Sequence, residues 1–118
     1  MKDSIIRDKS FDFAIRIINL FKYLKNKKEF VISKQILSAG TSIGANVREA
    51  LSAESKPDFI HKLSIAQKEC DETYYWLELL FKSEYLSKNE FDSINKECIE
   101  LLKIIKSIII TSKNSIRK

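Results

Sequence analysis

The feature that most constrains the fold is a stretch of small side chains over residues 35–53, QILSAGTSIGANVREALSA. It contains both glycines of the chain, Gly40 and Gly44. Its apolar residues recur every three or four positions, which is typical of an amphipathic helix. Because Gly, Ala and Ser let helix backbones approach closely, we expect this helix to lie at the centre of a packed helical assembly.

Composition favours a helical chain with a single core. The 118 residues include two glycines and one proline, too few for the many turns of a β-rich fold. With 44% hydrophobic and 31% charged residues, the chain is typical of one globular domain. The formal charge of +5 is expected both for proteins that bind nucleic acid and for ordinary basic surfaces.

Periodicity and capping residues predict four helices. Ser10 and Ser55 are suitable N-caps for the first and third helices, and Ser87 with Glu90 forms a capping box for the fourth. The predicted helices cover approximately residues 10–26, 31–54, 56–83 and 88–113. Since the connections are short, we predict an all-α, antiparallel up-down-up-down four-helix bundle, one domain over residues 1–118.

The first predicted helix is apolar on two faces. One face contains Phe11, Ala14, Ile15, Ile18 and Phe21. The other face contains Phe13, Ile17, Leu20 and Leu24. Since one bundle core cannot easily bury both sets, we expect one face to pack within the bundle and the other against another subunit.

A polar line borders the apolar face of the second helix. It consists of Ser42, Asn46 and Glu49, spaced three or four residues apart. A buried Asn46 would need partners, which Glu69 or Glu72 of the third helix can supply. Two interpretations are open: a pocket for a ligand or a proton, and a satisfied polar network that fixes helix register. We favour the second.

Residues suited to catalysis or metal binding are sparse. A di-iron bundle needs two Glu-x-x-His motifs, whereas His61 is the single histidine of this chain. Cys70 and Cys98 fall on apolar helix faces, so we expect buried free thiols. The sequence contains no Walker loop, GxGxxG or GxSxG motif. We therefore expect no enzymatic activity, no metal and no cofactor.

The N-terminal segment, MKDSIIRDKSFDF, shows no export signal. It lacks a continuous apolar stretch followed by a small-residue cleavage site. No run in the chain approaches the roughly 18 apolar residues of a membrane span. We therefore expect a cytoplasmic protein with no membrane partner.

Eight lysines are candidate contacts to nucleic acid. They lie near the end of the first helix, near the start of the second and along the fourth: Lys22, Lys25, Lys27, Lys28, Lys34, Lys103, Lys106 and Lys113. Exposed lysines bind phosphate groups without reading base sequence. The alternative interpretation is a solvated basic rim.

The second helix carries a motif that resembles a known family. Residues 41–50 read TSIGANVREA, which is similar to the SIxANIxE signature of four-helix bundle proteins encoded in intervening sequences of bacterial 23S ribosomal RNA genes. Val47 stands where Ile is commoner. The similarity continues into the third helix through Ala66, Lys68, Glu69, Glu72, Tyr75, Trp76 and Leu77. We interpret the signature residues as determinants of packing and register: Ser42, Ile43, Gly44, Asn46, Glu49 and Glu69.

The resemblance implies a structural protein without catalytic residues. Some relatives assemble as ring-shaped homopentamers, and a related protein, the accessory variability determinant of diversity-generating retroelements, is a basic pentamer that binds nucleic acid and a reverse transcriptase. We therefore expect a non-enzymatic homo-oligomer, a pentamer, that binds RNA or DNA non-specifically through its basic surface. The alternative is an adaptor whose exposed apolar stripe receives a protein partner.

Overall fold

The computed structural model describes residues 2–117, with side chains from residue 5 to residue 116. These residues form four α-helices and no strand: α1 (Lys2–Asn26), α2 (Ile32–Leu51), α3 (Lys56–Lys82) and α4 (Lys88–Arg117). Residues 1 and 118 of the predicted domain lie outside the described residues. The prediction of an all-α fold with four helices is confirmed.

Ion pairs between α1 and α4 show that these helices are antiparallel. Lys9 Nζ lies 3.7 Å from Glu100 Oε2, whereas Arg16 Nη1 lies 3.0 Å from Glu97 Oε2 and 3.4 Å from the carbonyl oxygen of Ser93. Residues later in α1 contact residues earlier in α4, so the two helices run in opposite directions.

Each helix packs against two neighbours, in the cyclic order α1, α2, α3, α4. The α1–α4 seam is the thinnest of the four, and within the described chain α1 and α3 share no close backbone approach. The bundle measures 51 × 22 × 20 Å. α1 and α3 therefore lie diagonally across it, and their outer surfaces point in opposite directions.

The core is formed by apolar side chains at the predicted helical spacing. From α1 it receives Phe13, Ile17, Leu20 and Leu24, all at most 9% exposed. The seam of α3 is buried at Leu63, Ala66, Cys70, Thr73, Leu77 and Leu80. The α4 seam is buried at Ile94, Cys98, Leu101, Ile105 and Ile108. Burial of large apolar side chains is the main favourable term in the stability of such a bundle.

The predicted start of α1 is wrong. The helix begins at Lys2, and Ser10 lies inside it, 1% exposed, with its Oγ donating to the carbonyl oxygen of Arg7 at 3.1 Å. A serine in a helix can satisfy its hydroxyl on the preceding turn, so it need not cap. Ile6 packs in the core, which explains why the helix extends to residues before Ser10. α2 ends earlier and α4 later than predicted, at Leu51 and Arg117.

The N-terminus of α2 is capped by a residue outside the helix. Val31 occupies the N-cap position without a side-chain cap bond. Instead, the buried carboxylate of Glu29 accepts hydrogen bonds from the backbone N–H groups of Val31, at 3.3 Å, and Ser33, at 2.6 Å. A negative charge at this end also interacts favourably with the helix dipole.

The predicted caps of α3 and α4 are confirmed. Ser55 Oγ accepts from the backbone N–H of Asp58 at 3.2 Å. At α4, Ser87 Oγ accepts from the Glu90 N–H at 3.1 Å, and Glu90 Oε1 accepts from the Ser87 N–H at 2.8 Å. The hydrogen bond from the Ser87 backbone N–H to the Glu90 carboxylate lowers the pKa of Glu90, and the Ser87 side chain lowers it further.

Candidate interaction surfaces

Besides Ile5 near its start, α1 has three exposed large apolar side chains that form one row facing away from the core. Phe11, Ile15 and Ile18 are 52%, 45% and 39% exposed, and we call them the outward α1 face. At 100° per residue they lie on the side of the helix opposite to Phe13 and Ile17. The expected division of α1 into two apolar faces is therefore present, although Ala14 and Phe21 of the predicted stripe are half-buried.

A shallow groove of about 240 Å³ runs beside this face, between α1 and α2. It is lined on α2 by the small residues Thr41, Gly44 and Ala45. The guanidinium carbon of Arg48 lies 5.5 Å from the centroid of the Phe11 ring, a cation–π contact. The small side chains of α2 thus leave an apolar hollow with a cation at its rim.

Asn46 does not make the expected hydrogen bond across the bundle. Its side chain is half-buried, and Nδ2 donates to the carbonyl oxygen of Ser42 at 2.9 Å, within α2. Ser42 Oγ donates in turn to the carbonyl oxygen of Ser38 at 2.6 Å. Among the described residues, no hydrogen bond joins Asn46 to Glu69 or Glu72. The side chains of Ser42 and Asn46 therefore find their hydrogen-bond acceptors one turn back on their own helix.

The other signature residues have separate environments. Ile43 is fully buried in the core, and Glu49 is exposed, with its carboxylate 3.6 Å from Lys62 Nζ on α3. The pKa of Glu69 is raised, first by partial burial and second by the negative charge of Glu72. The signature therefore does not converge on one polar site.

The two cysteines face each other between α3 and α4. Cys70 Sγ donates to the carbonyl oxygen of Cys98 at 3.6 Å, and Cys98 Sγ donates to that of Cys70 at 3.5 Å. Both are buried and free, as predicted. Contact with Cys98 and burial raise the pKa of Cys70, so its nucleophilic thiolate is disfavoured. The sequence does not predict the contact between these two cysteines, because the register of α3 against α4 cannot be deduced from either helix alone.

The structure separates the eight candidate lysines into two groups. The first group lies near the α1–α2 connection: Lys22, Lys25, Lys27, Lys28 and Lys34. The second group is Lys103, Lys106 and Lys113, which lie along α4 toward the other end of the bundle. Because α4 runs antiparallel to α1, its later residues lie beside the start of α1. A monomer therefore presents two basic regions instead of one.

None of these eight lysines forms a salt bridge within the described residues. The cations that do so are Arg7, Lys9, Arg16, Lys62 and Lys88. Lys27 Nζ lies 4.8 Å from the Tyr23 ring centroid, and a hydrogen bond with Tyr23 raises the lysine's pKa. The eight side chains are all exposed, so their charges can reach phosphate groups.

A groove that the sequence did not predict follows the thin α1–α4 seam. It measures about 450 Å³, with Leu20 and Ile94 among its apolar lining residues. Arg16 lies at its edge and is held by Ser93 Oγ, 3.2 Å away, and by Glu97. The groove is also lined by the polar residues Asn19, Tyr23 and Asn89.

Two further classes of site are missing from the described part of the chain. Residues 2–117 contain no group of three or more His, Cys, Asp or Glu side chains that could hold a metal ion. Over the same residues, no helix has the length and apolar character needed to cross a membrane.

The fold and its surfaces define an all-α four-helix bundle with one helix face left apolar and open. The sequence profile of the 23S rRNA-intervening sequence protein family matches residues 2–107, and the chain belongs to that family. The resemblance predicted from the signature is therefore confirmed.

A solved relative supports the same assignment. The 1.70 Å crystal structure of a protein of unknown function from the S23 ribosomal protein family of Bacteroides thetaiotaomicron is 56% identical, with a TM-score of 0.91. The match covers 92% of this chain and 98% of the relative. No curated protein matches the sequence. Neither match indicates an enzymatic family.

Proposed function

We propose that this chain is a non-enzymatic cytoplasmic protein that assembles with copies of itself through the outward α1 face. The supporting observation is that Phe11, Ile15 and Ile18 form one row, 39–52% exposed, on the side of α1 away from its own core. Large apolar side chains contribute up to about 1.5–3 kcal/mol each when they are fully withdrawn from water. A row of three therefore favours a contact with another molecule.

The proposed partner is a second copy of the chain, and the family resemblance implies a ring of five. The apolar hollow beside Phe11, between α1 and α2, extends this surface and gives an incoming side chain a place to pack. In a closed ring every copy uses the same contacts, so no outward α1 face is left in water.

Light scattering on the purified native chain tests the assembly. We expect a mass near five times 13.7 kDa at micromolar concentration, because the row of apolar side chains is buried in each contact. A mass near 13.7 kDa would contradict the proposal. An adaptor would also give that mass, and it would then capture one defined protein partner.

A second proposed activity is non-specific binding of RNA or DNA through the lysines without salt bridges. The region of α4 after Glu100 supports it, because that segment contains no acidic residue and carries Lys103, Lys106 and Lys113. Their spacing of three and seven residues places them on one side of the helix. Assembly would repeat this side in each copy and raise the effective affinity of the whole particle.

A salt titration with two matched triple variants tests nucleic-acid binding. We expect the native protein to bind DNA more weakly as salt rises, with a log–log slope of about −0.9 per neutralised phosphate. Replacing Lys103, Lys106 and Lys113 by Gln should reduce that slope by about two to three. The control replaces Lys9, Lys62 and Lys88, which already form salt bridges, and should change the slope less. Absence of binding at low salt, or equal slopes in the two variants, would contradict the proposal.

A further inference from the structure

We propose that the outward α1 face of one copy docks on the outer face of α3 of the next copy, centred on Tyr75. This inference rests on the proposed self-assembly and names the second surface that such an assembly requires. Its partner is a second copy of this chain, and the argument for it comes from exposure, charge and the relative position of the two faces.

Tyr75 is the exposed aromatic residue of α3, 54% accessible, and its position is supported from one side. Its ring meets the Trp76 ring edge-on, with centroids 4.9 Å apart and planes at 69°. Trp76 is held in turn by a hydrogen bond from its Nε1 to Glu72 Oε2, at 3.3 Å. A tyrosine whose exposed ring is held in place by a neighbouring side chain is typical of residues that anchor interfaces. It buries a large area on binding and loses little conformational entropy.

The charges around Tyr75 are acidic. One helical turn away lie Asp71, Glu72 and Glu78, at positions i−4, i−3 and i+3. None of these carboxylates forms a salt bridge in the part of the chain that the structure describes, and all three are exposed. The basic residues of this helix side are Lys68 and Lys82, each seven residues from Tyr75, and Lys82 lines the same hollow as Tyr75 and Glu78.

Two cations, Lys22 and Arg48, border the outward α1 face, whereas the exposed Asp12 lies on the side of α1 toward α4. Lys22 follows Ile18 by one turn, and Arg48 of α2 lies over the Phe11 ring. Neither cation has a carboxylate partner among the described residues. The nearby carboxylate of Asp8 is paired with Arg7, 3.3 Å away. An apolar row with basic edges is therefore complementary to an aromatic centre with acidic edges.

The two faces also have suitable positions for a head-to-tail contact. α1 and α3 lie diagonally in the bundle, so the faces point in opposite directions. A contact between two different faces repeats from copy to copy, giving a ring where the rotation closes and a filament where it does not.

Contacts through α4 show that the two faces lie at similar heights along the bundle. Arg16 of α1 contacts Ser93 and Glu97, whereas Phe91 and Cys98 of α4 contact α3 at residues 81 and 70. The outward α1 face therefore lies level with the part of α3 that contains Tyr75. The axial offset between successive copies is therefore small, and a turn of about 72° at each contact closes a ring of five.

Two single variants and their mixture test this inference. Ile15→Glu breaks the α1 face, and Tyr75→Lys breaks the α3 face by placing a cation against Lys22 and Arg48. Each variant alone should have a mass near 13.7 kDa, with native helicity by circular dichroism. Mixed in equal amounts, they should form mixed pairs through the two intact faces, and the opposite charges introduced on the two broken faces can join these pairs further. Ile110→Lys, on the exposed surface of α4, is the control that should assemble like the native chain.

Each outcome separates this inference from the proposed function. If the native chain assembles and Tyr75→Lys assembles equally well, the α3 face is overturned while self-assembly stands; an α1–α1 contact would give this result. If the native chain is a monomer, the proposed assembly fails and the inference fails with it. Formation of the mixed pair from two monomeric variants supports the α1–α3 contact specifically.

Discussion

Replacing Ile15 by Glu is expected to convert the assembled protein into a monomer. Ile15 lies between Phe11 and Ile18 at the centre of the outward α1 face, so each contact would bury it. Because Ile15 is 45% exposed, loss of its burial in the contact removes about 0.7–1.4 kcal/mol, and withdrawing an unpaired carboxylate from water costs several more. Since 1.4 kcal/mol is a factor of ten, the dissociation constant should rise at least about 100-fold.

The comparison with Ile110→Glu makes this result specific. Ile110 is 61% exposed on α4, whereas Ile15 is 45% exposed, so neither change disturbs the core of the folded chain. Both variants should retain native helicity by circular dichroism, and light scattering should show that Ile15→Glu alone has lost mass; loss of assembly should also lower its unfolding temperature. An Ile15→Glu protein with the native mass would rule out the outward α1 face as the interface.

Replacing Gly40 by Ala should lower the free energy of unfolding by up to about 2 kcal/mol, although Ala is the better helix former. A Cβ at this position would lie 2.6 Å from Ile17 Cγ1 and 2.9 Å from Ile17 Cγ2. Ile17 is fully buried and β-branched, so it has little freedom to move aside. Overpacking of this kind costs roughly 1–3 kcal/mol, against a gain in helix propensity of about 1 kcal/mol.

Urea denaturation measures this effect, with Gly44→Ala as the matched control. At Gly44 a Cβ would approach the carbonyl oxygen of Ser10 to 3.3 Å, so a small shift suffices and the change should stay below about 1 kcal/mol. Adding Ile17→Ala to Gly40→Ala should cost less than the sum of the two single changes by about 1 kcal/mol or more. Additive costs, or a Gly40→Ala protein more stable than the native chain, would contradict close packing of α2 on α1.

The fold could be predicted from the sequence because apolar residues recur at helical spacing and capping residues lie next to the helices that they begin. The seam of α3 from Leu63 to Leu80 repeats at spacings of three and four, and the capping residues before α3 and α4 mark where those helices begin. The predicted start of α1 is wrong because it depends on tertiary packing, which the local sequence does not show. Ser10 has the residue type of a cap, but its burial in the bundle decides its role.

The surfaces were only partly predictable, because they depend on how the helices are placed. The two apolar sets of α1 could be separated by periodicity, and the structure shows that the set with Phe13 faces the core. Neither the Cys70–Cys98 contact nor the separation of the lysines follows from any one helix. The sequence does not reveal the Glu29 cap, because Glu29 lies before the N-cap position of α2. Its carboxylate accepts hydrogen bonds from the backbone N–H groups of Val31 and Ser33.

Native mass spectrometry of the unmodified chain tests the central claim most directly, because it counts the copies in each particle. We expect one dominant species of five chains of 13.7 kDa each, which persists on dilution through the micromolar range. A spectrum with the single 13.7 kDa chain alone would contradict the account, since the row of Phe11, Ile15 and Ile18 would then face water.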